Sequence, residues 1–276
     1  MSVLLLALAV AVAPPSEMDM ELSAPVTAPD AAVGDAPAPP PPADHWADRF
    51  FAPAEMATAR DAMTHEHGGG NFAQIMFNLA EIQVHDGATA YRWDGAAWFG
   101  GDINRLVIKS EGEGANSVDS AEVQGLYSRA LDPYWNLQVG LRHDFAPGPA
   151  QTYAALGIEG LAPYWVDFEA AVFVSGQGNV LGRIAGWYDQ RITQRLILQP
   201  RFELNLSAQD MPAQAIGAGL SNAELGLRLR YEISRKFAPY IGISFEGKTG
   251  TTADLARAAG EAVTATRFVI GVRSWF

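Results

Sequence analysis

The sequence predicts an all-β protein: a transmembrane antiparallel β-barrel of about twelve strands, behind a disordered Pro/Ala-rich leader and one short helix. Three observations carry this. From residue 71 to residue 276 apolar and polar side chains alternate with period two. The polar side of that alternation repeatedly carries both signs of charge in mid-strand, while the apolar side is aliphatic and aromatic along whole strands. The chain is 49% hydrophobic with a mean hydropathy of +0.01, yet no apolar run reaches the roughly 18 residues that a membrane helix needs. A dozen such strands with almost no helix to cover them are satisfied by a closed membrane barrel, apolar outward and polar inward, which also removes unpaired edges.

Residues 2–13 are apolar, and Ala11-Val12-Ala13 fits the small-residue pattern of signal cleavage. No Lys or Arg precedes them, so residues 1–13 read as a shortened signal segment. Residues 14–48 hold nine of the 17 prolines, including Pro39 to Pro42, and read as an extended periplasmic leader. Residues 1–48 carry seven acids and no base, leaving 24 acids against 19 bases in the remainder. The net charge of −12 argues against nucleic acid as a partner. The absence of Cys removes disulfides, thiolate catalysis and thiolate metal sites.

Residues 49–70 contain the short helix. Pro53 suits its first turn, Ala and Met fill it, and Gly68-Gly69-Gly70 stops it. Met56, Met63 and His67 share one helical face, with His65 close by. Met18, Met20 and His45 lie ahead of them. The face reads either as a docking stripe or as a set of soft-metal ligands.

Strands are expected at 73–84, 89–99, 104–112, 119–129, 134–145, 151–160, 164–175, 179–190, 194–206, 221–233, 238–248 and 264–276. In 221–233, for example, Leu225, Leu227, Leu229 and Tyr231 alternate with Glu224, Gly226, Arg228 and Arg230. Tight turns such as Gly100-Gly101-Asp102 and Leu131-Asp132-Pro133 alternate with longer connections at 111–119, 146–151, 207–220 and 248–263. This matches short periplasmic turns and longer extracellular loops. Tyr127, Trp135, Tyr164, Tyr188, Tyr231 and Tyr240 are placed in aromatic belts. The inward charges Arg105, Lys109, Arg142, Arg201, Arg228, Arg230 and Arg273 are expected to pair with Glu122, Glu159, Asp167, Glu169, Glu203, Glu224 and Glu232. His143 falls on the outward side, and His85 in an extracellular loop.

The motifs Trp98-Phe99-Gly100-Gly101-Asp102-Ile103-Asn104-Arg105-Leu106, Arg142-His143-Asp144-Phe145 and Gly160-Leu161-Ala162-Pro163-Tyr164 stand in that order. They are followed by Thr193 to Arg201, Gly226 to Glu232, Phe237 to Gly242 and the terminal Trp275-Phe276. With these motifs the chain resembles the copper resistance protein B family of Gram-negative outer-membrane proteins. The resemblance implies an outer-membrane barrel acting in copper resistance and homeostasis, with Met- and His-rich ligands in a periplasmic leader. Thioether and imidazole together favour Cu(I). The ligands it points to here are Met18, Met20, His45, Met56, Met63, His65 and His67. The leader is poorer in Met and His than the family pattern, which points to a small site.

The functions that follow are copper binding, copper passage across the outer membrane, or docking of a periplasmic multicopper oxidase, with outer-membrane lipid around the wall. The alternatives are a barrel of structural purpose and an outer-membrane lipid hydrolase. The hydrolase needs a Ser beside a His on the outward face, and none follows His143 on that face. No nucleophile elbow, P-loop or HExxH is present, so the chain is read as a non-enzyme.

Overall fold

A computed structural model describes residues 45–67 and 70–276. Thus the signal segment, most of the leader, Met18 and Met20 lie outside the described residues. Ahead of the barrel, Trp46–Arg49 forms a single 3-10 turn, with the Arg49 guanidinium 4.2 Å over the Trp46 ring. Helix α1 spans Pro53–His67.

The barrel wall is built from β1 (Phe72–His85), β2 (Ala88–Gly100), β3 (Asn104–Gly114), β4 (Val118–Ala130), β5 (Trp135–Ala146), β6 (Gln151–Ala162), β7 (Val166–Ser175) and β8 (Val180–Tyr188). It continues through β9 (Gln190–Arg191), β10 (Leu196–Ser207), β11 (Gly219–Tyr231), β12 (Phe237–Lys248) and β13 (Thr264–Trp275). β9 is a two-residue piece that resumes β8 past Asp189 on the same neighbour, β10. The wall therefore has twelve staves. Every neighbour pair is antiparallel, and β1 pairs with β13, which closes the sheet on itself. The seam ends in a reciprocal pair of backbone bonds between Ile75 and Phe276, at 2.9 and 3.1 Å.

Burial is inverted relative to a water-soluble core. Leu141, Leu225, Ile241, Phe268 and Ile270 are each 59–64% exposed on the outside, while Arg228, Glu203 and Glu122 are nearly fully buried within. Only a hydrocarbon surround makes this partition favourable. Small inward residues make room for the charges. Gly226, for instance, must lack a Cβ because one would collide with the Arg228 guanidinium.

The structure corrects several expectations. Alternation in β1 is broken by a bulge at Asn78, where the register on β2 steps from Phe77↔Gly95 to Leu79↔Asp94. Gln74 and Met76 point inward before the bulge, and Leu79, Glu81 and Gln83 after it. Tyr240 is not in a belt. It is buried in the lumen and donates to Glu81 at 3.0 Å. Tyr164 and Trp165 adopt positive φ in a turn, so the seventh strand starts later, at Val166. β3 and β4 run on into the expected 111–119 loop and leave only residues 115–117 between them. For the same reason His85 is the last residue of β1, bonded at 2.7 Å to the Thr266 carbonyl.

Two connections at the long-loop end fold over the mouth. The connection expected over 248–263 is not all loop: it contains α2 (Gly250–Ala258), whose Thr252, Ala253 and Ala256 are buried. Residues 208–218 turn inward, and Met211 is 4% exposed among Tyr153, Phe173 and Leu181. The two are tied by a bond from the Gly217 amide to Thr252 Oγ1, at 2.8 Å.

Candidate functional site

In the lumen, glutamates lie directly opposite each other on neighbouring strands at Glu111 and Glu122, Glu159 and Glu169, and Glu203 and Glu224, and Glu224 also faces Glu246 on its other side; the first three pairs are bridged. Like charges in that position repel. Each of the three is clamped by one cation reaching across from a distant strand. Lys109 Nζ lies 2.7 Å from Glu159 and 2.8 Å from Glu169. Arg183 lies 3.2 Å from Glu111 and 2.7 Å from Glu122. Arg92 binds Glu224 and lies 3.4 Å from Glu203. A fourth contact joins β11 to β1, three staves away, with Arg228 donating two bonds to Glu81 at 2.9 and 3.1 Å.

The expected interior pairing of Lys109, Arg142, Arg201, Arg228, Arg230 and Arg273 is thus present, with Asp144 accepting from Arg142 at 2.6 Å. Sequence reading missed Arg92, Arg183, Glu81, Glu111 and Asp189 as members. Arg183 had a signal, since it alternates with Leu181 and Ala185 on the inward side. Glu81 had none, because the bulge at Asn78 inverts the parity ahead of it. Arg105 takes a different partner: it donates to the Gly101 carbonyl and lies 4.4 Å over the Trp98 ring.

Toward the short-turn end the lumen opens into a cavity of about 200 Å³ lined by Asp189, Arg230, Arg273, Met76 and neighbours. Met76 and Met211 are the described methionines of the barrel; Met211 is buried and Met76 is half-buried on the cavity wall. Met211 is packed in apolar surroundings, and Met76 Sδ lies 3.8 Å from an Arg273 nitrogen. Among the described residues no group of three or more His, Asp or Glu is arranged to hold a metal ion.

The other described predicted ligands precede the barrel in sequence. His45 is exposed beside the 3-10 turn. In α1, Met63 is 59% exposed, His65 is exposed and Met56 is half-buried. Helix geometry divides this set. Met63 and His67 stand four apart, one turn along the same face, whereas Met56 lies seven residues earlier, roughly 10 Å along the axis. His65 projects from the opposite side while the helix lasts.

On the outer face His143 Nδ1 lies 2.7 Å from Thr152 Oγ1, and its ring meets Phe145 edge-on at 4.6 Å. The outward parity of His143 is as expected, and the hydroxyl beside it comes from the neighbouring strand rather than from two residues on.

The sequence model of the family described as "Copper resistance protein B precursor (CopB)" matches residues 71–276, the whole barrel. The chain belongs to this family. The copper resistance protein B of Escherichia coli is 44% identical over 203 residues, covering 73% of this chain and 69% of that protein. The copper resistance protein B homolog of Pseudomonas syringae pv. tomato (strain ATCC BAA-871 / DC3000) is 44% identical over 197 residues, covering 71% and 67%. Among solved structures, the NanC porin aligns with a TM-score of 0.49 at 14% identity, over 74% of this chain and 99% of its own. The KdgM porin aligns with a TM-score of 0.44 at 11% identity, with the same coverage. As a copper resistance protein B barrel with membrane-inverted burial, the chain is an outer-membrane protein with a role in copper resistance.

Proposed function

We propose that this barrel binds copper through thioether and imidazole groups ahead of its first strand, and that the lumen is a structural plug rather than the ion's path. One observation carries the reading. Soft donors concentrate between Met18 and His67, whereas the lumen is crossed by carboxylate clamps and holds two separate methionines, Met211 buried in apolar surroundings and Met76 against the Arg273 guanidinium. The donor set Met18, Met20, His45, Met56, Met63, His65 and His67 suits Cu(I). Met63 and His67 form its helical nucleus. Their place shortly before β1 is on the side where the short turns lie, which puts bound copper at the periplasmic mouth, within reach of a soluble partner such as a multicopper oxidase. The outward wall contacts outer-membrane lipid. The role is binding and presentation rather than catalysis. The His143–Thr152 contact has Phe145 against the imidazole instead of an orienting carboxylate, so a proton relay is incomplete.

The test is a Cu(I) competition titration of the folded protein against a colorimetric chelator. Replacing Met63, His65 and His67 together by Ala should weaken binding more than tenfold, about 1.4 kcal/mol or more, with heat-modifiable mobility unchanged. Unchanged copper affinity would place the site elsewhere. A gene deletion that leaves copper tolerance and cell-associated copper unaltered would remove the copper role itself.

A further inference from the structure

The cavity at the short-turn end has a chemistry of its own, independent of the copper reading. Four guanidinium groups, from Arg191, Arg230, Arg235 and Arg273, line it against two carboxylates, Asp189 and Glu232. Those two carboxylates are already engaged. Asp189 Oδ2 lies 2.6 Å from Arg230 and 3.5 Å from Arg273, and Glu232 lies 3.5 Å from Arg191. Arg235 has no acidic partner among the described residues. Its carbonyl accepts from Trp275 Nε1 at 2.7 Å, which fixes its backbone at the rim of the cavity, where the residue is exposed. Arg273 has the long contact to Asp189 and a weak one to the Met76 sulfur, 3.8 Å away. Asp167 lies near enough to act on Arg273 as well, so four guanidinium groups face three acids, and one positive charge with several N–H donors is in excess around the space.

A volume of about 200 Å³ holds roughly six waters at about 30 Å³ each, or one small polyatomic ion with part of its hydration. Arg273 also borders a second, smaller void of about 20 Å³, lined by Asp94, Gln199 and Arg201. A copper ion does not suit the larger cavity, since the one thioether present sits under a guanidinium. Planar guanidinium forks match the paired oxygens of phosphate and carboxylate.

We propose that this cavity is a binding site for a small oxyanion, a phosphate or dicarboxylate group, at the periplasmic mouth of the barrel. The oxyanion is either a soluble metabolite or a lipid headgroup phosphate reaching in from the inner leaflet.

The test is calorimetric titration of the folded full chain with inorganic phosphate and with succinate at low ionic strength. Saturable binding of at least one anion is expected, weakened tenfold or more by Arg235→Gln and by Arg273→Gln. Heat-modifiable mobility reports that each variant is folded, and if Arg273→Gln does not fold, the turn variant Arg235→Gln decides. The proposal is overturned if neither anion binds up to about 10 mM, a level that corresponds to negligible affinity. It is equally overturned if folded variants bind as well as the unaltered protein. Repeating the titration in bilayer discs with and without phosphatidylglycerol separates the sources. Equal binding in both assigns a soluble anion, and competition by the anionic lipid assigns a headgroup; each outcome upholds the oxyanion site.

Discussion

Arg228 is 1% exposed and spends two donors on Glu81, which also accepts from Gln83 and Tyr240. Glu81 thus receives four hydrogen bonds from three side chains, two of them on other strands. Losing the cation strands the carboxylate in a site that water does not reach. Breaking such a buried pair costs about 3–5 kcal/mol. Arg228→Gln should therefore lower the unfolding free energy in detergent by about that amount, read from denaturant titration. The double replacement Arg228→Met with Glu81→Met removes both charges and should recover most of the loss. If the single variant is as stable as the unaltered barrel, the lumen at this level is wet and the pair is screened.

At the scale of elements, the in-turned connection 208–218 has a stability separate from the wall. It contributes Met211 to a cluster with Tyr153, Phe173 and Leu181 and ties itself to α2 through Gly217 and Thr252. Truncating a buried Met to Ala costs about 2–5 kcal/mol. Met211→Ala should release that connection locally. Digestion by a nonspecific protease from the long-loop side should cut within 208–218 much faster than in the unaltered protein. The midpoint of barrel unfolding should hardly move, because the strand ladders are untouched. Equal protease resistance would show that backbone bonds, such as Met211 with Ile216, hold the connection without the side chain.

For the whole molecule, closure of β1 on β13 and the three clamped glutamate pairs make the lumen a cross-braced solid. Each clamp spans strands far apart in sequence, so it stiffens the wall in a direction in which the ladders do not. Arg273 separates the cavity at one end from a smaller void of about 20 Å³, and at the other end 208–218 turn inward and bond to α2. The reconstituted barrel should show no steady open level in planar bilayers. A stable conductance step at ordinary potentials would mean that the clamps open in the membrane.

Much of this was legible in the sequence for one reason: a strand's side chains alternate with period two, so a wall between hydrocarbon and a polar lumen writes itself into every stave. That sufficed for twelve strands, for the outward placing of His143 and for the inward placing of Lys109, Arg142 and Arg228. It failed at Asn78, because one inserted residue inverts parity and only the pairing with β2 reveals the insertion. It misplaced Tyr240 because aromatic character near a strand end fits both a belt and a lumen. Which cation clamps which glutamate pair was beyond any local pattern, since Arg183 meets Glu122 across 61 residues and their distance is set by how many staves the barrel closes with. The same holds for the Arg-rich cavity, whose members come from β1, β9, β11, β12, β13 and the adjoining turns and meet only because the sheet returns on itself. Barrel and family follow from local periodicity and motifs, whereas plug, clamps and pocket are properties of closure.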